Sequence, residues 1–550
     1  MTVRTGHHQL LIGWISLAVA LLFYLTGLGS DHLATNGDEL LYAQIARLTA
    51  ATGHLLPLQS VDEHARNTKP PLLFWQGILS TGWGGHWHLA LLRLPNVLYT
   101  LLTAEFIAWI ARRRTRSLPL ALQAALLFLC FFSTYRYGRV FLTSAPETFW
   151  LFLPLALLLL HREPEMPAGA WRPWLYGGLI GVGLLYKSFA LLVPVILTMG
   201  LWQLSARGWR VRPFLTLDAW RLLLAAVSAL LVFSLWFWFD PDPSAVVKDF
   251  VLRENAGKFN TGGENYFLNL VWGQSSIWRI LVSYPLDAGL LALPTAALAV
   301  DAWNRRRHLG HLESLLWIWM LVLAAFFCIP NQRDERYLLP AMPALALLLA
   351  MRLGHLPQWL LRVTVACCGI ILLGLAGLAI LLQSRAGIGP LYPVWLLPVL
   401  AAMLAVILVP LLRSRLPASL LPLQILLVYL GYTLFLLPLD HGPGLFAGEG
   451  VEAVAGRDVA APINFNAREE SYGFLLPEAA AIRPYWHTLL PTLDEFIVVS
   501  LPLDQPPPDG IILARRLNMI DRFDAAETRD ILSGNITHHL FHWDWLVQRK

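Results

Sequence analysis

Long apolar blocks alternate with short polar stretches over most of the first 440 positions of the chain. Read by run length, the blocks predict about thirteen membrane-spanning helices. They fall near residues 10–28, 89–110, 118–133, 149–160, 174–186, 191–204, 220–239, 280–300, 315–329, 338–351, 363–382, 394–412 and 420–437. Several are shorter than the ~20 residues a bilayer crossing takes, so their helices begin outside the hydrocarbon. Between the first two runs, Leu40, Leu41, Ile45, Ala46 and Leu48 recur at helical spacing and predict an amphipathic helix. Past residue 440 the pattern changes to mixed charge, prolines and alternating patches such as "EFIVVSLPL" and "DGIILARRL". The predicted fold class is therefore an all-α polytopic membrane bundle over residues 1–439, followed by a small α/β domain outside the membrane over 440–550.

Composition agrees with that pattern. Of 550 residues, 56% are hydrophobic and only 14% charged, and the mean hydropathy is +0.55, which excludes an ordinary soluble enzyme. The first apolar run lacks a small-residue cleavage site and is expected to stay as a span. The net charge of +5 comes from arginines in short loops, not from a basic face, so nucleic acid is not an expected partner. Arg4, "ARRRTR" at 111–116, "ARGWRVR" at 206–212, "NRRRH" at 304–308, Arg352 with Arg362, and "RSR" at 413–415 all fall on one side, which predicts a cytoplasmic face and a cytoplasmic N-terminus. The opposite side receives the long loops 29–88 and 240–279 and the C-terminal domain; in a Gram-negative cell these lie in the periplasm. Cys130, Cys328, Cys367 and Cys368 sit in apolar runs without ligand spacing and read as buried thiols.

Cations on the outer face run against the orientation bias, so each needs a reason. Lys69 ends the first long loop in "NTKPPLLFWQ", where Pro70 and Pro71 suit a helix's first turn and hold the lysine at a fixed height. Arg136 and Arg139 stand in "STYRYGRVFLTSAPE", Lys187 in "GLLYKSFALLVP", Lys258 in "VLRENAGKFN", and Arg333, Arg336 and Tyr337 in "NQRDERYLLP". Together they suit a phosphate on a long lipid; singly, each also suits a headgroup anchor. Asp38 opens the amphipathic helix as a general base or as an N-cap, with Glu39 as its substitute. Glu147 reads as a cap on the fourth span.

The stretches "DELLYAQIARLTAATGHLLP", "TKPPLLFW", "GRVFLTSAPETFW", "LLYKSFALLVP" and "RYLLPAMPALALL", in this order, resemble the C-type glycosyltransferase superfamily. The resemblance covers about residues 10–352 and is nearest to the bacterial branch of lipid A aminoarabinose transferases and protein O-mannosyltransferases. It implies a multi-pass enzyme of the bacterial inner membrane. Such an enzyme moves a sugar, with inversion, from a polyprenyl-phosphate donor such as an undecaprenyl phosphate to a glycan, lipid or protein acceptor at the periplasmic face. By the same resemblance Asp38 is the catalytic carboxylate, Lys69, Lys258, Arg336 and Tyr337 hold the donor phosphate, and Tyr42, Arg139 and Lys187 line the sugar or acceptor pocket. The chain departs from the pattern at several positions. Leu41 replaces an arginine, Thr68 replaces the Glu before Lys-Pro-Pro, Glu254-Asn255 replaces a Glu-His pair, and Ser144 replaces an Asp. The loss of the Glu at 68 and the His at 255 removes a possible zinc pair, so no metal or other cofactor is expected. Two rival functions are a transporter or flippase of lipid-linked sugars and a non-catalytic assembly subunit. The scarcity of ionisable residues within the spans speaks against the first, and the retention of Asp38 with Lys69 against the second.

Overall fold

The computed structural model describes residues 2–30, 33, 37–60, 66–161, 169–259, 266–273, 275–385, 391–441, 446, 449–463, 472–473, 475–486, 494–520 and 523–549. Among them, eight helical segments are long and apolar enough to cross a membrane: His7–Leu25, Leu89–Thr115, Phe189–Ala206, Ala219–Phe239, Leu268–Asn304, Glu335–His355, Gln358–Ser384 and Ala418–Pro438. Shorter apolar helices cover Leu118–Cys130, Ser144–Leu160, His311–Phe327 and Leu396–Leu412. The chain is a multi-pass membrane protein. The apolar blocks located these helices; their ends were set by chemistry the blocks do not show. The fourth predicted run begins at Ser144, not 149, because Ser144–Glu147 is helical although polar. The third ends at Cys130, where Phe131 turns extended before the short helix Phe132–Tyr137.

The chain divides into two compact units. The first takes Met1–Leu28, Ile45–Cys368 and Val406–Leu427 and is a helical bundle. Its tightest helix pair is Arg172–Leu184 against Ala219–Phe239. A Cβ at Gly177 would lie 2.2 Å from the Ala225 carbonyl oxygen, and one at Gly181 would lie 2.6 Å from Val232 Cβ. Small residues four apart let two backbones touch where lipid offers no hydrophobic drive to bring them together. Gly177→Ala is therefore expected to force the helices apart and to destabilise the bundle by about 1–3 kcal/mol, read as a lower midpoint of thermal unfolding in detergent. Gly289, at φ +60°, ends the helix Ile277–Ala288 within the Leu268–Asn304 stretch, and a Cβ there would meet Phe132 Cβ at 2.5 Å.

The second unit takes Gly29–Gln44, Gly369–Ala405 and Val428–Lys550. Its C-terminal part carries a five-stranded mixed sheet of β1 (Asp458–Ile463), β2 (Ala481–Trp486), β3 (Phe496–Pro502), β4 (Ile511–Met519) and β5 (Phe541–Gln548), in the order β2-β1-β3-β5-β4. β1 pairs in parallel with β2 and β3, and β5 pairs antiparallel with β3 and β4. The two alternating patches seen in the sequence are β3 and β4. One sheet face buries Val459, Ala461, Phe496, Val498 and Leu546 against Val454, Tyr472 and Leu476. The alternate positions Ala460, Ile497 and Val499 are buried as well, so β1 and β3 are covered on both faces.

Candidate functional site

The site is built where four chain segments of the first unit meet. Pro70 and Pro71 are buried, and the helix Leu72–Ser80 starts directly behind them, with Pro71 already at φ −77°, ψ −20°. A proline at a helix start loses no hydrogen bond and presets φ, so the junction is stiff. The Leu72 N–H donates to the Leu185 carbonyl at 3.4 Å, which seats the junction on the turn that carries Lys187. Lys69 Nζ donates to its neighbour's carbonyl, Thr68 O, at 2.8 Å and to Glu254 Oε1 at 2.9 Å.

Lys187 follows the helix Arg172–Leu184 and donates to Glu147 Oε2 at 2.8 Å. Its ammonium also lies 5.1 Å above the centre of the Tyr337 ring, a cation–π contact. That ring stacks on Phe327 at 5.0 Å. Burial holds the Lys187 ammonium below the ordinary lysine range; Glu147 opposes that shift, while Arg336 and Lys69 add to it by repulsion. Lys69, Lys187, Glu147, Arg336 and Tyr337 thus share one electrostatic field. Arg336 lies 3.7 Å from Asp334, whose side chain accepts the Arg336 N–H at 3.0 Å.

The fourth segment is a π-helical turn, Val247–Asn255, a conformation found mostly at functional positions. It is held by Phe250, buried against Phe189, Phe233 and Trp236. Asn255 anchors its end, donating to the Phe250 carbonyl at 2.8 Å and accepting from Ser188 Oγ at 2.7 Å. Behind the lysines runs a chain of neutral hydrogen bonds. Tyr186 Oη donates to Gln76 Oε1 at 3.1 Å and lies 3.1 Å from Tyr99 Oη. Gln76 donates to Asn96 Oδ1 at 2.7 Å, and Asn96 donates to the Val140 and Leu142 carbonyls. Fully bonded polar networks of this kind fix side-chain positions in a low dielectric.

The structure distributes the sequence candidates unevenly. It brings Lys69, Lys187, Arg336 and Tyr337 together. Lys258 lies in the 3-10 turn Ala256–Phe259, and its side chain falls outside the described residues. Arg139 is 2% exposed, donates to the Thr26 carbonyl and sits 4.9 Å over the Phe23 ring, with Arg93, Tyr24 and Tyr135 as its charged and polar surroundings. Asp38, Glu39 and Tyr42 belong to the second unit, in the first half of the helix Gly37–Ala51. Asp38 is half-buried there, whereas Glu39 is 1% and Tyr42 6% exposed. Asp38 is the second residue of the helix, inside its first turn and not ahead of it.

Sequence reasoning missed the two carboxylates that hold the lysines. Glu147, read as a cap, instead gives its Oε2 to Lys187, while Thr143 occupies the N-cap. Glu254, named in the sequence only as the neighbour of Asn255, binds Lys69. No local signal pointed to either pairing, since Glu147 lies 40 and Glu254 185 positions from its lysine. Among the described residues, no group of three or more His, Cys, Asp or Glu side chains is arranged to share an ion.

Known proteins resemble this chain in sequence and in fold. A model of the family described as dolichyl-phosphate-mannose-protein mannosyltransferase matches residues 15–242. The undecaprenyl phosphate-alpha-4-amino-4-deoxy-L-arabinose arabinosyl transferase of Pseudomonas aeruginosa (strain UCBPP-PA14) is 29% identical over 384 residues, 67% of this chain and 64% of that protein. Its counterpart from Enterobacter sp. (strain 638) is 26% identical over 61% of this chain and 60% of that protein. The match therefore spans less than two thirds of these curated relatives. Among solved structures, ArnT from Cupriavidus metallidurans superposes in its apo state with a TM-score of 0.59 at 21% identity, covering 86% of this chain and 85% of that one. Bound to undecaprenyl phosphate it superposes at 0.58 and 20% identity, covering 86% of each. The fold is that of ArnT. In sequence, the chain resembles the protein mannosyltransferase family over residues 15–242 and the aminoarabinose transferase of Pseudomonas aeruginosa over 67% of its length.

Proposed function

We propose that this chain is an inverting glycosyltransferase that moves a sugar from a polyprenyl-phosphate donor to an acceptor at the periplasmic face of the bacterial inner membrane. The observation that carries the reading is the convergence of Lys69, Lys187, Arg336 and Tyr337 behind a stiff Lys-Pro-Pro junction. The relatives named for an undecaprenyl-phosphate-linked sugar, and an ArnT structure holding undecaprenyl phosphate, support it. In this reading residues 1–439 form the transferase domain and residues 440–550 a periplasmic soluble domain, with membrane lipids around the spans.

The chemistry follows from the charges. The acceptor oxygen attacks the anomeric carbon, the glycosyl–phosphate bond breaks, and the lipid phosphate leaves with the electron pair. Lys69 and Tyr337 bind that phosphate, with Lys258 and Arg336 lending charge, and their stabilisation grows as the leaving group becomes a monoester. Lysine neutralises a phosphate as a point charge, without arginine's two-pronged grip. Lys187 and Tyr42 shape the sugar and acceptor side, whereas Arg139, enclosed beside Phe23, is left to hold the bundle. Asp38 takes the acceptor's proton, with Glu39 behind it; where the acceptor is an ionised phosphate, as on lipid A, Asp38 orients the sugar instead. We assign no metal to the step: Thr68 and Asn255 stand where a zinc pair would be, and the Asn255 amide bonds Ser188 and Phe250.

The test is transfer by the purified, lipid-reconstituted protein from radiolabelled polyprenyl-phosphate sugars to membrane acceptors. Label appearing on an acceptor with release of the lipid phosphate is the expected result. Label that crosses the bilayer while still lipid-linked would make the chain a flippase.

A further inference from the structure

Lys69 and Lys187 are each held by a carboxylate, but the two carboxylates are not equivalent. Glu147, bound to Lys187, has a side chain only 1% exposed; Glu254, bound to Lys69, has one 26% exposed. The segment that delivers Glu254 does not depend on it for its place. Phe250 buries its body and Asn255 ties its end to Ser188, both independently of the Glu254 charge. Of the two pairs this is the one whose carboxylate reaches solvent, with side chains 17% exposed at Lys69 and 26% at Glu254. It nevertheless occupies the ammonium that a phosphate must reach, because Glu254 Oε1 stands 2.9 Å from Lys69 Nζ.

We propose that Glu254 is a displaceable counter-ion of Lys69 that sets the affinity for the lipid phosphate. The phosphate oxygen and Glu254 Oε1 compete for one ammonium, and the carboxylate retakes it when the phosphate departs. The inference rests on the reading of Lys69 as a donor-phosphate ligand. It follows that Glu254 weakens the spent lipid phosphate most. That group carries up to two charges against the donor's one, and it would otherwise stay longest on the lysine. Glu147 has no such role: it is enclosed, and its loss would leave Lys187 buried without a counter-charge.

The test is direct binding of undecaprenyl phosphate to the full-length protein in lipid nanodiscs. It compares wild type, Glu254→Gln, Glu254→Ala, Lys69→Met and the Lys69→Met/Glu254→Gln double variant. Each is checked first for a wild-type thermal midpoint. Glu254→Gln and Glu254→Ala are expected to bind about two- to fivefold more tightly, the scale of a partly exposed ion pair. In transfer assays the same variants should be inhibited by undecaprenyl phosphate at correspondingly lower concentration. Lys69→Met should lose affinity, and Glu254→Gln should change nothing further in that background. Unchanged or weaker binding in both Glu254 variants, with Lys69→Met still impaired, overturns the inference alone. Tightening that persists without Lys69 also overturns it, since the carboxylate then repels the ligand from elsewhere. Wild-type binding by Lys69→Met overturns the donor-site reading itself, and this inference with it.

Discussion

Asp38→Asn is expected to lower sugar transfer by about 10²–10⁴-fold, the usual contribution of a general base. The amide keeps the size and hydrogen-bonding capacity of the carboxylate, so the helix Gly37–Ala51 should stay intact and the protein should insert and melt as wild type does. The choice between the two neighbouring acids follows from exposure. Asp38 is half-buried in the first turn, while Glu39 is 1% exposed and has no open side to offer a substrate. Glu39→Gln should therefore harm expression or stability more than the chemical step. Single-turnover transfer with purified variants reads both effects. A wild-type rate in Asp38→Asn would sink its assignment as base or as sugar-orienting group.

Glu147→Ala should destabilise the bundle by about 3–5 kcal/mol, because it leaves the Lys187 ammonium largely buried without its counter-ion. The pH dependence separates this from a simple packing loss. The folded-state pKa of Lys187 is depressed below the usual lysine value by burial, so between the folded and unfolded pKa values the unfolded chain binds more protons. Stability then rises as pH increases through that window. Glu147 is the group that opposes the depression. In Glu147→Gln the window should extend to lower pH, and any activity that needs the Lys187 ammonium should decline at a lower pH than in wild type. Urea unfolding and transfer rates measured across the alkaline range check both signs. An alkaline limb identical to wild type would show that the pair does not control the charge on Lys187.

Much of the architecture was legible from apolar run length alone. A segment with no polar partner to offer in hydrocarbon must satisfy its own backbone, and a helix does so within itself. The amphipathic helix with Asp38, the Lys-Pro-Pro junction heading Leu72–Ser80, and the strands at 496–502 and 511–519 were all visible, because each rests on a local rule of spacing or of proline geometry. Helix ends were less visible. Ser144–Glu147 is polar by composition but helical in place, since Glu147 finds Lys187 from another segment.

The pairing of charges was beyond local rules. From sequence, Lys69, Lys187, Arg336 and Tyr337 were four cations and rings on one side of a membrane, each equally able to anchor a headgroup. Tertiary structure decided that Lys187 lies over Tyr337 and against Glu147, that Lys69 faces Glu254 across 185 positions of chain, and that Arg139 is enclosed beside Phe23. The sequence by itself determined the solvent of each segment, the family it resembles, and the residue types able to bind a phosphate, because hydropathy and motif order are properties of the chain. Which cation keeps a buried partner, and which holds one that a ligand can displace, depends on distance and burial between segments remote in sequence, and only the fold creates those.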